Sequence, residues 1–325
     1  MSVVTTTLPG TSLSVSPLCL GGAPFGATIS EAESFALLDR FVAAGGNFID
    51  TACIYSDWVP GEKRRSERIL GDWLAARRNR AQLIIATKGA HPFIESTGVP
   101  RSSPAEIRDD LEGSLRTLHT EVIDLYWLHR DDATRPVESF IDVLNTFVRE
   151  GKVRAFGASN WTVGRLRAAQ AYALGSGQLG FAANQPFWCL GVAHSRPPPF
   201  AGYVKVDADT YQFHVETGLA MIPYTSQANG FFSKLARGDS DLEKHDFHTP
   251  PNIAAGRIVC ELAALKRAAP SAIVLAYLWS RPFPVVPIVG SRNAAQLDDC
   301  FAALPVRLTS AELAALECAS QSGLS

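Results

Sequence analysis

Short apolar runs alternate along the chain with segments whose apolar residues recur every three or four positions. Eight of these runs have the length of a strand, and each is bounded by glycine, proline or polar residues. They lie at residues 18–20, 48–49, 83–86, 123–128, 153–156, 181–183, 219–222 and 285–289. The segments between them show helical spacing, for example across residues 137–148. A strand followed by a helix, repeated in this way, predicts a parallel sheet with crossover helices.

Helix starts are marked at several of these segments. A Ser or Thr followed three residues later by Glu is typical of a helix N-terminus, because each side chain then binds the other's backbone N–H. This pattern occurs at Ser30 with Glu33, Ser103 with Glu106 and Thr309 with Glu312. The helices that it marks alternate with the predicted strands, and the last one lies beyond the eighth strand.

Eight such units without a change in composition favour a closed (β/α)₈ TIM barrel over an open doubly wound sheet. Residues 1–16 precede the first unit and predict an N-terminal β-hairpin. Residues 302–325 predict a C-terminal helical tail. We therefore expect one (β/α)₈-barrel domain over residues 1–325, in line with the size of single-domain barrels.

Composition narrows the classes of function. The chain is 46% hydrophobic and 19% charged, with a net charge of -2, so neither nucleic acid nor an anionic membrane is expected as a partner. The longest apolar runs are far shorter than a membrane span. Six cysteines without a C-x-x-C pair, and an N-terminus without a basic segment, predict reduced thiols, no signal peptide and a cytoplasmic location. We expect no metal site, and nothing in the sequence indicates an oligomeric state.

One glycine motif needs a separate interpretation. Residues 175–180 match the dinucleotide-binding pattern G-x-G-x-x-G. The motif follows a helix and precedes a strand, whereas the dinucleotide motif follows a strand and opens a helix. We interpret it as the C-terminal turn of a helix, where glycine readily adopts positive φ.

Barrel active sites lie at the carboxyl ends of the strands. The first polar residues after the predicted strands are Asp50, Lys88, His129, Ser159, Asn160, Gln185, Tyr224 and the group Gly290, Ser291 and Arg292. Tyr55 follows Asp50 in the same loop. Single residues of these types are more often helix caps or core-edge side chains, but their joint placement on neighbouring strand ends favours a catalytic site.

Several segments resemble the aldo-keto reductase family, in the order in which that family carries them. The segment GGNFIDTACIY at residues 45–55 resembles the signature with the catalytic aspartate and tyrosine. Further resemblance lies in Thr87–Lys88, LYWLHR at 125–130, GKVRAFGASN at 151–160, Asn184–Gln185, and PIVGSRN at 287–293 with Gln296. The resemblance runs in family order over residues 18–301, nearly the whole chain. The resemblance implies a (β/α)₈ enzyme that transfers a hydride between NADPH and a carbonyl.

The resemblance implies four catalytic residues, Asp50, Tyr55, Lys88 and His129. The chemistry agrees, because a carbonyl oxygen must gain a proton as hydride reaches its carbon. An ordinary tyrosine has a pKa near 10, and we expect a neighbouring Lys88 to lower the pKa of Tyr55. Asp50 would hold the lysine in place, and His129 would orient the substrate oxygen.

The family comparison also implies the cofactor contacts. Ser159, Asn160 and Gln185 would bind the nicotinamide carboxamide, and Tyr224 would stack on the ring. Arg292 would bind the 2′-phosphate, which favours NADPH while leaving NADH possible. The other residues expected at the cofactor are Gly22, Asp50, Thr225, Gln227, Gly290, Gln296 and Asp299. The loop at 224–232 departs from the usual family sequence, and Cys300 stands where the family often has an adenine-binding residue.

The loops indicate the substrate only broadly. Four aromatic or histidine residues, Trp58, His91, Phe93 and Trp188, are expected to line a pocket for sugar rings or other bulky carbonyls. The same side chains would be equally typical of packing at the barrel mouth.

Two functions therefore stay open. One is an NADPH-dependent reductase of an aldehyde, ketone or keto-sugar, or of the corresponding alcohol in reverse, with Tyr55 as general acid and base. The alternative is a cofactor-binding accessory or sensor subunit with the same fold and little turnover. The intact set of acid–base residues favours the reductase, because a pure binding protein needs no acid.

Overall fold

The computed structural model describes residues 3–192 and 202–320, and it begins with an antiparallel hairpin. Strands β1 (Thr6–Thr7) and β2 (Ser14–Val15) pair with Thr6 opposite Val15. Leu8, Leu13 and Val15 pack into one cluster with side chains from the beginnings of the barrel strands. The predicted hairpin is thus present and covers the amino ends of those strands, so the carboxyl ends remain available for a site.

Eight parallel strands form one sheet in the order β10-β3-β4-β5-β6-β7-β8-β9. Their bounds are β3 (Cys19–Gly21), β4 (Phe48–Asp50), β5 (Ile84–Gly89), β6 (Ile123–Leu128), β7 (Val153–Ser159), β8 (Ala183–Gln185), β9 (Ala220–Met221) and β10 (Ile288–Val289). The two outermost strands meet through a parallel bridge between Met221 and Val285 and through the bond from Ile288 N to Pro223 O, at 3.0 Å. The predicted (β/α)₈ barrel is confirmed.

The last strand is shorter than the run at 285–289 predicts. Prolines at 282, 284 and 287 interrupt this segment, and proline has no N–H to donate to a ladder. Their carbonyls still accept, because Met221 N donates to Pro284 O at 2.8 Å and Cys19 N donates to Pro287 O at 3.0 Å. The barrel therefore closes here mainly through proline carbonyls.

Helices alternate with the strands around the barrel. Their bounds are α1 (Glu31–Ala43), α2 (Arg65–Arg77), α3 (Pro104–Thr117), α4 (Val137–Arg149), α5 (Val163–Gly175), α6 (Ala208–Thr217), α7 (Phe231–Arg237), α8 (Pro250–Lys266), α9 (Pro270–Trp279), α10 (Ala294–Ala302) and α11 (Ser310–Ser320). Among residues 3–192 and 202–320, no helix has the length and apolar character that a membrane span requires.

The local predictions for helix ends are confirmed. Both partners of the capping box are in place at Ser30 with Glu33 and at Ser103 with Glu106. Helix α5 ends at Gly175, and Gly177 has a φ of +67°. The glycine motif at 175–180 is therefore a helix C-terminal turn that leads into the segment before β8.

Candidate active site

A buried lysine at the end of β5 joins the carboxyl ends of two neighbouring strands. The Nζ atom of Lys88 donates to the carboxylate of Asp50, to Thr51 O at 2.9 Å and to the hydroxyl of Tyr55 at 3.0 Å. Lys88 and Asp50 have almost no exposed surface. The structure thus brings three of the four predicted catalytic residues into direct contact.

The loop after β4 places Tyr55 over this lysine. Thr51 N donates to Ala86 O at 2.9 Å and Cys53 N donates to Lys88 O at 3.1 Å, so the loop is attached to β5 by its backbone. A turn then brings the aromatic ring of Tyr55 back, with its centroid 4.6 Å from Lys88 Nζ. The short spacing between Asp50 and Tyr55 therefore lets one loop place the Tyr55 ring beside the lysine that Asp50 binds.

Burial and charge oppose each other at Lys88. Burial lowers the pKa of Lys88, but its interactions with Asp50 and with the Tyr55 hydroxyl outweigh burial and raise the pKa above its usual 10.5. Burial raises the pKa of Asp50, and the Lys88 ammonium opposes that effect. Lys88 is therefore the cation of a buried pair, and its ammonium also contacts the Tyr55 hydroxyl.

The pKa of Tyr55 differs from the sequence-based expectation. Burial raises the pKa of Tyr55 above its usual 10.0, and Lys88 only partly offsets this. The expectation of a lowered pKa considered the lysine but not the desolvation of the phenol, which is the larger effect. Tyr55 is consequently protonated at neutral pH, the state that a proton donor requires.

His129 follows β6 and lies beside Tyr55. Its backbone N donates to Gly89 O at 2.9 Å, and its ring centroid is 5.8 Å from that of Tyr55. Burial first, and then the neighbouring His91 and Arg130, lower the pKa of His129 well below 6.5. The imidazole is therefore neutral, and its Nδ1 is buried without a hydrogen-bond partner among the described residues. A neutral imidazole at this place is suited to bind an oxygen atom.

Four polar side chains continue the site along β7, β8 and the loop after β9. The hydroxyl of Tyr224 donates to Asn160 Oδ1 at 2.7 Å, and Asn160 Nδ2 donates to Ser159 Oγ at 3.0 Å. Ser159 pairs with Gln185 in the sheet register, and Gln185 Nε2 donates to Asp50 Oδ1 at 3.1 Å. These contacts form a continuous hydrogen-bonded series that ends at the buried ion pair.

The backbone of Asn160 supports this arrangement. Its φ is +61°, in the left-handed region that asparagine tolerates better than most residues. This conformation lets Asn160 Nδ2 also donate to His129 O at 3.2 Å. The amide is thereby fixed between β6 and β7, as the predicted binding of a nicotinamide carboxamide would require.

The segment after β10 leads into the N-terminus of α10. Arg292 is exposed and forms no ion pair within 4 Å among the described residues. Its backbone N donates to Gln296 Oε1, and Gln296 N donates to Asn293 Oδ1, each at 2.9 Å. A Cβ added at Gly290 would meet no heavy atom within 4 Å, so the surface there is open. Open backbone at a helix N-terminus beside an unpaired arginine fits a phosphate group.

Two further residues expected at the cofactor lie in the loop after β9. Thr225 has a φ of +57°, and Gln227 Nε2 lies 3.5 Å from Cys300 Sγ. Cys300 is buried, and burial raises the pKa of its thiol to about 11. The cysteine therefore anchors Gln227 instead of facing solvent, and Asp299 beside it is exposed.

Gly22 follows β3 and closes the remaining side of the site. Its N–H donates to Asp50 O at 2.7 Å, and an added Cβ would lie 3.0 Å from Ser66 Oγ. The close approach of the two loops thus depends on glycine at this position.

A cavity of about 430 Å³ opens above these side chains. Tyr55, His129, Ser159, Asn160, Gln185 and Tyr224 line it, together with Trp58 and His91 from the predicted substrate set. Phe93 is not among these lining residues. Its ring centroid lies 4.1 Å from the guanidinium carbon of Arg101. Trp188 is also absent from the lining and is buried against Tyr211 and Tyr277, because its side chain points into the helix layer.

Sequence reasoning missed four residues on the cavity wall, the apolar Ile54 and Ile94 and the polar Arg130 and Tyr203. Arg130 directly follows His129, so its position next to a catalytic candidate was a usable signal. Tyr203 lies far along the chain from the end of β8, and no local pattern marks it. Among the described residues, no group of His, Cys, Asp and Glu has the arrangement of a metal site.

Comparison with known proteins agrees with this geometry. Residues 17–321 match the profile of the Aldo/keto reductase family. A norsolorinic acid reductase of Emericella nidulans is 31% identical, over 95% of this chain and 79% of that protein. An aldo-keto reductase of Aspergillus calidoustus is 30% identical, over 95% of this chain and 80% of that protein. A putative aryl-alcohol dehydrogenase of Saccharomyces cerevisiae is 30% identical, over 93% and 82%.

Proposed function

This chain belongs to the aldo/keto reductase family and is an NAD(P)H-dependent oxidoreductase, and on that premise we propose that it uses NADPH to reduce the carbonyl of an aldehyde or ketone. Tyr55 is the proposed proton donor. The observation that carries the proposal is that Lys88 contacts both Asp50 and the Tyr55 hydroxyl beneath the cavity.

The proton transfer follows from these contacts. A carbonyl oxygen bound between Tyr55 and His129 receives the phenolic proton as negative charge develops on it. Lys88 stabilises the phenolate that this step leaves, because its ammonium already donates to the same oxygen at 3.0 Å. Asp50 holds the lysine in place and keeps it charged. The neutral His129 orients the substrate oxygen without competing for the proton.

The proposed cofactor site uses the polar series on β7 and β8. Bound NADPH supplies the hydride. Ser159, Asn160 and Gln185 would bind its carboxamide, Tyr224 would cover the ring, and Arg292 would bind the 2′-phosphate. The hydrogen bonds that already fix Asn160 and Gln185 support this assignment, because preorganised amides bind at a lower entropic cost. Gly22, Thr225, Gln227, Gly290, Gln296 and Asp299 complete the proposed set.

The proposed substrate is an aromatic or similarly bulky carbonyl. Tyr55, Trp58, Tyr203 and Tyr224 surround the cavity with rings, and flat side chains favour flat ligands. The relative in Emericella nidulans is named for the reduction of norsolorinic acid, and the one in Saccharomyces cerevisiae is named a putative dehydrogenase of aryl alcohols. We also propose a cytoplasmic location, supported by six cysteines that are all free thiols.

Fluorescence titration with NADPH and NADH, followed by a panel of aldehydes and ketones, tests the proposal. We expect tighter binding of NADPH and its oxidation with aromatic aldehydes. Tyr55→Phe should lose about 100-fold or more in kcat while binding NADPH as the wild type does. Tyr172→Phe is a matched control, because that hydroxyl is on the surface of α5 and donates to Asp142. Unaltered turnover in Tyr55→Phe would refute the mechanism, and tight NADPH binding without turnover on the panel would favour an accessory or sensor role.

A further inference from the structure

Arg130 is the only Lys, Arg, Asp or Glu among the twelve described residues that line the cavity. It is half-buried, and its guanidinium carbon lies 4.7 Å from the ring centroid of Tyr203. Its Nη1 donates to His129 O at 3.3 Å. The aromatic ring and the carbonyl therefore hold the guanidinium at the wall of the cavity.

No carboxylate in the described part of the chain neutralises this arginine. Among the described residues, no Asp or Glu lies within 4 Å of its nitrogens. Residues 1–2, 193–201 and 321–325 contain no Asp or Glu side chain.

The two acidic residues that follow Arg130 in the chain have other partners. Asp131 binds Arg165 through two bonds of 2.8 and 2.9 Å. Asp132 accepts from Ser102 at 2.7 Å and from Thr134 at 2.6 Å. The charge of Arg130 is thus left for a molecule that enters the cavity.

The other charges near the cavity cancel or are absent. Lys88 is paired with Asp50. Burial lowers the pKa of His91 to about 4 and lowers that of His129 well below its usual 6.5, so both rings are neutral at pH 7. Among residues 3–192 and 202–320, the cavity therefore carries one positive charge that no carboxylate compensates.

We propose that Arg130 binds a carboxylate of the substrate, so that the preferred substrate is an aromatic carbonyl compound with an acidic group. This proposal rests on the proposed function for the carbonyl reduction itself. A planar guanidinium binds a carboxylate through two parallel hydrogen bonds, and the Tyr203 ring already limits its motion. His129 and Arg130 are consecutive, so the carbonyl oxygen and the carboxylate are recognised by adjacent residues at the end of β6.

The position of Arg130 also separates it from the proposed phosphate site. In the sheet order β10-β3-β4-β5-β6, the end of β6 is four strands from β10 in an eight-stranded barrel, and thus on the opposite side. Arg292 and the N-terminus of α10 follow β10. Arg130 is therefore on the substrate side of the cavity.

The test compares pairs of aldehydes that differ in charge. Purified enzyme with saturating NADPH is assayed with 4-carboxybenzaldehyde and 3-carboxybenzaldehyde, and with their methyl esters. We expect kcat/KM for one of the acids to exceed that of its ester by about tenfold or more, since a charged hydrogen-bonded pair contributes about 10- to 100-fold. The ester is the more electrophilic aldehyde, so intrinsic reactivity cannot produce this preference. The preference should also weaken from 0.05 to 0.5 M NaCl, because salt screens charge pairs.

Variants then locate the effect. Arg130→Met should lower the ratio of acid to ester kcat/KM by about 10- to 100-fold, mainly through KM of the acid, and Arg130→Lys should retain part of the preference. Arg116→Met is the matched control, because it removes the same charge from the exposed surface of α3. It should leave the ratio unchanged.

Three results would overturn the inference. The first is a wild type whose kcat/KM for both esters equals or exceeds that for the acids. The second is an unchanged ratio of acid to ester kcat/KM in Arg130→Met. The third is an equal loss of kcat/KM on acid and ester in Arg130→Met, together with weaker NADPH binding. The last result would make Arg130 a positioning or cofactor residue. A wild type that reduces neither acid nor ester would instead refute the proposed function, so the two failures are distinguishable.

Discussion

The buried pair of Lys88 and Asp50 predicts that stability and activity can be separated. Asp50→Asn removes the negative charge and keeps the shape of the side chain. The Lys88 ammonium, which has almost no exposed surface, then has lost its anion. Its remaining acceptors, at Thr51 and Tyr55, are neutral. Breaking a buried pair in this way costs about 3–5 kcal/mol. Because the two neutral acceptors remain, we expect a loss of about 3 kcal/mol in the free energy of unfolding.

The double variant Asp50→Asn with Lys88→Met provides the decisive comparison. It removes both charges, so neither is buried alone, and most of the lost stability should return. Activity should not return, because Tyr55 has then lost the ammonium that stabilises its phenolate. Equilibrium urea unfolding, followed by tryptophan fluorescence, measures the first quantity, and NADPH oxidation measures the second. A loss below 1 kcal/mol in Asp50→Asn, or a double variant no more stable than the single one, would refute the reasoning.

Three further predictions follow from the site and its surroundings. Because burial raises the pKa of Tyr55 above 10.0 and lowers that of His129 well below 6.5, the rate of carbonyl reduction should be flat from pH 6.5 to about 9 and fall only at higher pH, as the phenol loses its proton; a break near pH 7 would contradict this. Arg292→Glu should weaken NADPH binding by about 10-fold or more while leaving NADH binding nearly unchanged, and a titration that shows a retained NADPH preference would remove the phosphate assignment. Arg64→Met should cost about 3 kcal/mol in urea unfolding, because Glu67 is fully buried and accepts from Arg64 at 3.0 Å; an unchanged midpoint would show that the carboxylate does not need this partner.

The local features of the fold were predictable because each depends on neighbouring residues. The capping boxes at Ser30 and Ser103 need only a hydroxyl and a glutamate three positions apart. The eight strands follow from short apolar runs with polar ends, and the C-terminal turn at Gly177 follows from its place after a helix. Strand bounds at the barrel closure were less accurate, since prolines shortened β10 in favour of carbonyl contacts.

Several features of the site were beyond local reasoning. Trp188 was expected at the pocket, yet it packs among Tyr211 and Tyr277 in the helix layer, because the orientation of a loop side chain depends on distant packing. The direction of the pKa shift at Tyr55 was also missed. It depends on how much protein surrounds the phenol, and sequence spacing does not contain that quantity.

The order of strands and helices, the family of the chain and the polar residues at the strand ends could all be read from the amino-acid sequence. These follow from periodicity, from local hydrogen bonding and from blocks of neighbouring residues. Three features of the site became visible only in the folded protein: Lys88 contacts Asp50 and Tyr55 together, the phenol is buried enough to stay protonated, and Arg130 faces the cavity with no described carboxylate beside it. Each of these depends on distances and solvent exclusion among segments far apart in the chain, which closure of the barrel alone brings together.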